Sequence, residues 1–420
     1  MQTYSKNKIF NVIVVGAGAS GLMAAISAAK NGLHVLVLEK MEKAGRKLFI
    51  SGKGRCNLTN NSDLKTFIEN IYPDGRFLYP VFKKFFVDDL INFFENAGVP
   101  LVLERGDRYF PKSNKSSDIV KALVNECNRL NVDFLFNSKV VNLLCENNVI
   151  VGVEYESEKK RNKIFSDSVI LCTGGKSYPA TGSTGDGYYF AEKLGHKIII
   201  PKPALVPLIF ENNLIQKTLL LKNINAKLII NQKIIKQEFG ELEISNEKLS
   251  GPIILTLSRW AVEELLKNNK VEINIDIKPA LTPEKLNLRL LNDFEKNPKT
   301  KLKDLLKLLL PNDFIELFLE KLKLDANKEA NIITKNEREK IINLLKNFPI
   351  LIIDYKGFEE SIITNGGINL TEINPKTLES KIVKNLYFAG EILNLDAKTG
   401  GYNLQIAFST GWFAGKNLFN

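Results

Sequence analysis

The order of apolar and polar positions divides the chain into three textures. In the first, Phe10 to Val15 is an apolar, β-branched run, the pattern of a strand buried on both faces. A Gly-rich turn follows. Apolar positions then recur at helical spacing from Leu22 to Ala29, closed by Asn31-Gly32. Val35 to Leu38 is again strand-like and ends at Glu39, so these elements predict a complete βαβ unit. Phe82 to Ala97 and Ser116 to Leu130 read as helices. Val132–Phe136, Val140–Leu144, Val149–Tyr155, Lys163–Phe165 and Val169–Cys172 read as strands, with a small meander around the charged turn Glu156 to Asn162.

The texture changes after His196. Pro201, Pro203 and Pro207 mark a boundary, and short β-type runs alternate with turns from Ile198 to Ile277. Thr282 as cap and Pro283 at the first helical position then open a Leu- and Lys-rich helical stretch that runs to about Phe348. From Leu351 the chain is strand-like again and finishes in a Gly-rich loop and a last helix. The simplest architecture is an α/β fold. A Rossmann-type domain is built from both chain ends, 1–197 and 350–420, with a β-barrel-like insert at 198–281 and a small helical bundle at 282–349.

Composition narrows the chemistry. A 420-residue chain with 44% hydrophobic and 25% charged residues is long enough for several packed domains. The four cysteines are scattered and form no CxxC pair, and there are only two histidines, so no metal centre is expected. Unpaired cysteines fit a reducing compartment. Val12 to Ala29 is too short and too broken by glycine to span a membrane, and it lacks signal-peptide logic, so the expected location is cytoplasmic. The net charge of +11 suits a polyanionic partner or a Lys-rich proteome equally well.

The turn after the first strand is Gly16-Ala17-Gly18-Ala19-Ser20-Gly21, and Glu39 ends the second strand about 20 residues further on. Gly16 permits the tight turn, Gly18 lets backbone approach a pyrophosphate, and Gly21 allows close packing of helix on strand. Free N–H groups at the helix start favour phosphate. Glu39 accepts from ribose hydroxyls and repels a 2′-phosphate. Lys40 follows it directly.

Three further segments favour FAD over NAD. A basic loop carries Arg46, Lys47, Ser51, Gly52, Gly54 and Asn57. Thr173-Gly174-Gly175 ends a strand with little side chain to obstruct a cofactor. Near the end, Gly390-Glu391 follows a strand, and Gly401 leads through Tyr402 into Asn403 and Leu404 at the start of the last helix. A second dinucleotide fingerprint is absent from the sequence. NADH or NADPH is therefore expected, if used at all, as a transient electron donor.

Together these stretches resemble the BaiN-like flavoproteins, also labelled aminoacetone-oxidase-type FAD-binding enzymes. The similarity runs through GAGASGLMAA, GRKLFISGKGRCNLTN, RYFPKSNKSSDIV, TGGKSYPATGSTGDGYYFAEKLGH, LSGPIILTLSR and LYFAGEILNLDAKTGGYNLQIAFSTG. The resemblance implies noncovalent FAD. It implies an FAD domain with an inserted barrel and helical bundle, and backbone contact near Val140 to the adenine. One departure stands out: Ser245-Asn246 occupies the place where the family usually has Thr-His before the SGP motif.

For chemistry, Cys56 is singled out because Lys53 and Arg55 beside it would lower its pKa, making it a candidate acid. Packing beneath the loop is the equal alternative. Arg55 and Tyr402 complete the catalytic candidates, Tyr402 either facing the flavin or packing. Arg105, Arg108 and Lys112 line an entrance or are simply solvated. Hydride transfer to or from flavin N5 is the expected reaction. The resemblance implies a partner that is either a small-molecule substrate, in amine oxidation or reduction of a conjugated double bond, or ribosomal RNA, in which uridine is reduced to dihydrouridine. A flavin redox sensor is the non-enzymatic alternative.

Overall fold

The computed structural model describes residues 10–211 and 217–418. The outermost residues of the expected chain-end domain, 1–9 and 419–420, and residues 212–216 of the insert lie outside them.

Phe10–Val15 (β1), Ala19–Lys30 (α1) and Val35–Leu38 (β2) form the expected βαβ unit, with β1 and β2 parallel in the register Val12↔Val35 to Val15↔Leu38. The central sheet runs Asp133–Leu135, β2, β1, Lys160–Leu171, and then antiparallel through Val149–Ser157 and Lys139–Glu146. Leu386–Phe388, from the far end of the chain, adds a parallel strand beside Val169–Leu171. The strands of β1 and β2 are apolar on both faces because both are covered. The buried last helix, Tyr402–Lys416, lies against α1, and Gly411 and Gly415 let the two backbones approach.

The chain divides into two compact units, 1–203 with 361–420, and 204–360. The second contains a closed six-stranded barrel: Leu208–Phe210, Lys248–Ser250, Lys233–Ser245, Leu219–Ile230, Val271–Asp276 and Phe348–Tyr355. Two expected boundaries move. Ile198–Ala204 pairs with Ile363–Ile368 rather than entering the barrel, and Phe348–Tyr355 closes the barrel instead of rejoining the first unit. The helices between Pro283 and Lys346 share one apolar core with the barrel, so barrel and helices are a single unit.

Local propensity misled in two places. Pro252–Leu265, within the stretch read as β, is a helix. Its Ile and Leu residues suit strands, but Pro252 sits at the helix start and Ile253, Ile254, Leu257, Ala261 and Val262 bury one helical face. The helix read over Phe82–Ala97 is broken. Val87–Asn96 starts anew after Phe86, whose N–H donates to Asp89 at 2.8 Å. By contrast, the Thr282 hydroxyl caps the helix from Pro283 as expected, accepting from Lys285 N at 3.3 Å. Asn246, the family departure, has φ +43° in a two-residue hairpin turn, a conformation that asparagine tolerates well.

Candidate functional site

A cavity of about 1340 Å³, counting its open mouth, lies in the first unit. Its floor is the glycine turn. Gly16, at φ +102°, backs onto the Cys172 carbonyl, where a Cβ would lie 2.6 Å away. A Cβ on Gly21 would run into the Gly16 carbonyl, which is the close packing expected of that position. Gly18 is different: nothing lies within 4 Å of where its Cβ would point. No side chain caps α1, so the first N–H groups of that helix are left facing the cavity end. An open glycine, an uncapped helix start and this shape fit the pyrophosphate of a dinucleotide.

Glu39 closes the turn. Its two oxygens accept from Ala17 N at 2.8 Å and Met41 N at 2.9 Å, which leaves lone pairs for ribose hydroxyls. Lys40 is held by Thr184 and Asp186 at 2.5 and 2.7 Å. Arg46 pairs with Glu42 at 2.5 Å and reaches the Ala180 carbonyl. The wall carries Lys40, Lys43, Arg46, Lys47 and Lys139 against Glu39, Asp186 and Glu391, an excess of positive charge that suits two phosphates.

A second cluster ties the chain ends together. Lys47 Nζ donates to Ser177 Oγ and Glu391 Oε2, both at 2.5 Å, and Ser177 Oγ donates to Glu391 Oε1 at 2.5 Å. Thr364 N donates to the same carboxylate at 2.9 Å, while the Thr364 hydroxyl accepts from Lys176 N and Ser177 N. Ile362, Ile363, Leu395, Leu404 and Ile406 give this wall its apolar part.

The family model of the HI0933-like protein Rossmann domain matches residues 10–417. The chain belongs to this family. It is an FAD-dependent oxidoreductase. At 29% identity it is similar to a 3-dehydro-bile acid delta(4,6)-reductase of Clostridium scindens, over 96% of this chain and 97% of that one. It is similar to ribosomal RNA dihydrouridine synthases of Haemophilus influenzae (29% identity, 98% of each chain) and of Escherichia coli (26%, 97% and 98%). Its fold is that of 3-ketosteroid delta1-dehydrogenase from Sterolibacterium denitrificans, with TM-score 0.54, 15% identity and coverage of 97% and 98%.

In this HI0933-like chain the cavity wall brings together Gly16, Gly18, Ala19, Ser20, Glu39, Lys40, Arg46, Lys47, Ser51, Val140, Thr173, Gly174, Glu391, Asn403 and Leu404. Asn403 spends its amide on the Ala397 backbone, so it shapes the loop. Other expected contacts lie behind the wall. Gly175 makes room for Thr364 and Glu391, Gly390 for Ser20, and Gly401 for Thr59. Gly52 and Gly54 supply left-handed turns, at φ +57° and +84°. The Asn57 side-chain oxygen is buried without a partner among the described residues.

The three catalytic candidates are not on the wall. Cys56 is fully buried in the core, and burial pushes its thiol up to about 12 against a smaller lowering by a hydrogen bond with Ser51. Arg55 is engaged with Glu104 and Asn114 and lies 4.2 Å over the Phe110 ring. The Tyr402 ring packs on Phe67, and its hydroxyl meets Ser62 at 2.8 Å, so the packing alternative holds. Ser177 and Thr364 escaped the sequence reading. Ser177 lies in the TGGKSYPATG stretch, but Thr364 sits in the buried strand Ile363–Ile368, whose Ile-Thr-Asn-Gly-Gly-Ile sequence has no dinucleotide-site pattern. No group of three or more metal-ligating side chains occurs among the described residues, and none of their helices is long and apolar enough to cross a membrane.

Proposed function

We propose that this flavoenzyme reduces a carbon–carbon double bond conjugated to a carbonyl, and that its substrate is a uracil of ribosomal RNA, converted to dihydrouridine. The observation that carries the RNA reading is where the charge lies. Residues 1–203 with 361–420 hold 33 Lys and Arg against 24 Asp and Glu, whereas 204–360 holds 25 against 23. The unit that contains the cavity is the basic one, as a phosphate-bearing substrate requires. The names of the full-length relatives support the bond type: both a dienone bile acid and uracil present a C=C in conjugation with C=O. The resemblance to BaiN-like proteins is read in the same sense.

FAD, when bound, supplies hydride from its reduced ring. The chain does the rest. The glycine turn and the start of α1 would hold the pyrophosphate, and Glu39 the ribose. Ile362, Ile363 and Leu404 keep water from the reacting end. Lys47 Nζ carries the proton for the second carbon and is fixed by Glu391 and Ser177. NADH or NADPH provides the electrons transiently. The target base leaves its stack to reach the cavity.

The apolar wall beside Lys47 favours one rival, a small enone substrate. Mass spectrometry of digested ribosomal RNA from cells with and without the gene separates the two. Dihydrouridine lost with the gene, and restored with it, supports the RNA reading. Unchanged dihydrouridine returns the case to a small conjugated carbonyl compound.

A further inference from the structure

The cavity mouth continues into a basic surface that the cofactor site does not use. Ser51, on the cavity wall, opens the turn Ser51–Gly54, in which Lys53 stands exposed at φ +57° between two glycines. The turn packs on a hairpin, Leu101–Glu104 paired with Arg108–Pro111. Arg55 is the joint. Its guanidinium lies on Phe110 and bonds Glu104 at one end of the hairpin and Asn114 in the loop that follows Pro111. Beyond those ends stand Arg105 and the pair Lys112 and Lys115, all exposed. Arg105 and Lys112 make no ion pair among the described residues, and Glu104 is already taken by Arg55. A strand pair four residues long spans ~14 Å, so the cations are spread along a line rather than gathered at one point.

The same edge holds an exposed ring. In the short helix Arg46–Ile50, Leu48 points inward to the cavity while Phe49 is 38% exposed, between cavity-lining Lys47 and Ser51. A cation row beside an exposed aromatic ring, at the rim of a site that must accept an unstacked base, is the arrangement that single-stranded nucleic acid requires. We infer that Phe49, Lys53, Arg105, Lys112 and Lys115, on the hairpin that Arg55 fastens, form the docking surface for a single-stranded segment of RNA. The phosphates follow the hairpin, and a base flanking the target stacks on Phe49. This inference rests on the RNA reading above.

The test uses the full-length, FAD-loaded protein and a transcript of large-subunit ribosomal RNA, with filter binding between ~50 and ~200 mM salt. The variant is Arg105→Gln with Lys112→Gln and Lys115→Gln. The control is Lys159→Gln with Lys160→Gln and Arg161→Gln, which removes the same charge from an exposed hairpin end elsewhere. Flavin absorbance and circular dichroism establish that both are folded and loaded. The hairpin variant is expected to bind at least ~10-fold more weakly, with the salt slope reduced by about 3, while the control binds as the parent does. Equal weakening of both variants, or of neither, overturns the docking surface and leaves the RNA reading standing. A parent protein that binds the transcript no better than duplex DNA of equal length overturns both.

Discussion

Lys47 Nζ lies 2.5 Å from Glu391 Oε2, so a helix of five residues near one end of the chain is fastened to the turn after Leu386–Phe388 near the other. The pair does two jobs. It closes the cavity wall across 344 positions of sequence, and it fixes the ammonium that the proposed mechanism uses as its proton donor.

Replacing Lys47 with Met separates these jobs. The loss of a general acid is expected to slow reduction of substrate ~100-fold or more. Glu391 would keep Ser177 and Thr364 as donors but lose its counter-charge, at a cost of roughly 2 kcal/mol, below the range for fully buried pairs because Lys47 is a quarter exposed. Lys47→Arg should recover stability more than rate. Stopped-flow reduction beside urea unfolding checks both. Equal recovery of rate and stability would mean that the lysine only positions the wall.

The glycine turn offers a cleaner separation. Gly18→Ala meets nothing within 4 Å and already has φ −83°, so the apoprotein should change by less than ~1 kcal/mol. FAD, however, must approach that backbone closely, and its Kd should rise ~10-fold or more. Gly21→Ala drives a Cβ into the Gly16 carbonyl and should lower the melting temperature of the apoprotein itself. Calorimetry of both apoproteins, with titration of FAD, distinguishes a binding glycine from a packing glycine.

Cys56 should behave as a core residue. With its thiol pushed to about 12, almost no thiolate exists at pH 8, and iodoacetamide should modify it only after unfolding in urea. The folded protein keeps this proton where the unfolded chain, with a thiol near 9, has lost it. The contribution of Cys56 to stability is therefore complete below pH 9 and declines as pH rises toward 12. Cys56→Ala should retain FAD and turnover. Rapid alkylation of the native protein would contradict this placement.

These cases show which parts of the molecule were legible in its sequence. Gly16, Gly21 and Glu39 stand out in the sequence because spacing within one βαβ unit fixes that turn, although Cys172, which backs onto Gly16, lies outside the unit. The strand ending at Leu171 and the cap at Thr282 were local in the same way. For Cys56 it is the packing alternative that holds, because charge order along the chain, Lys53-Gly54-Arg55, says nothing of depth. At φ +59° the backbone turns the thiol into the core while the Arg55 guanidinium goes to Phe110. Thr364 was invisible because its value lies wholly in contacts with Lys176, Ser177 and Glu391, each distant in sequence. The barrel boundaries moved because strand pairing, not the prolines, decides where Ile198–Ala204 and Phe348–Tyr355 belong.

His196 provides a pH-dependent test of the packing between the helix Asp186–Lys193 and the segment around Glu372 and Ser380. Its ring is buried, bonded to Ser380 Oγ at 2.8 Å and Glu372 Oε2 at 3.2 Å, and set edge-on to Phe388. Burial lowers its pKa below 6.5, and the nearby Glu372 only partly opposes this. The unfolded chain then takes up a proton at a higher pH than the folded one. Stability contributed by the neutral ring is thus fully present above about pH 6.5 and is lost as pH falls from there toward the lower folded value. His196→Gln keeps hydrogen-bonding capacity without titrating. It should flatten the pH dependence of the urea midpoint between about pH 5 and 7. If parent and variant lose stability in parallel over that range, the acid sensitivity belongs to carboxylates elsewhere and not to this imidazole.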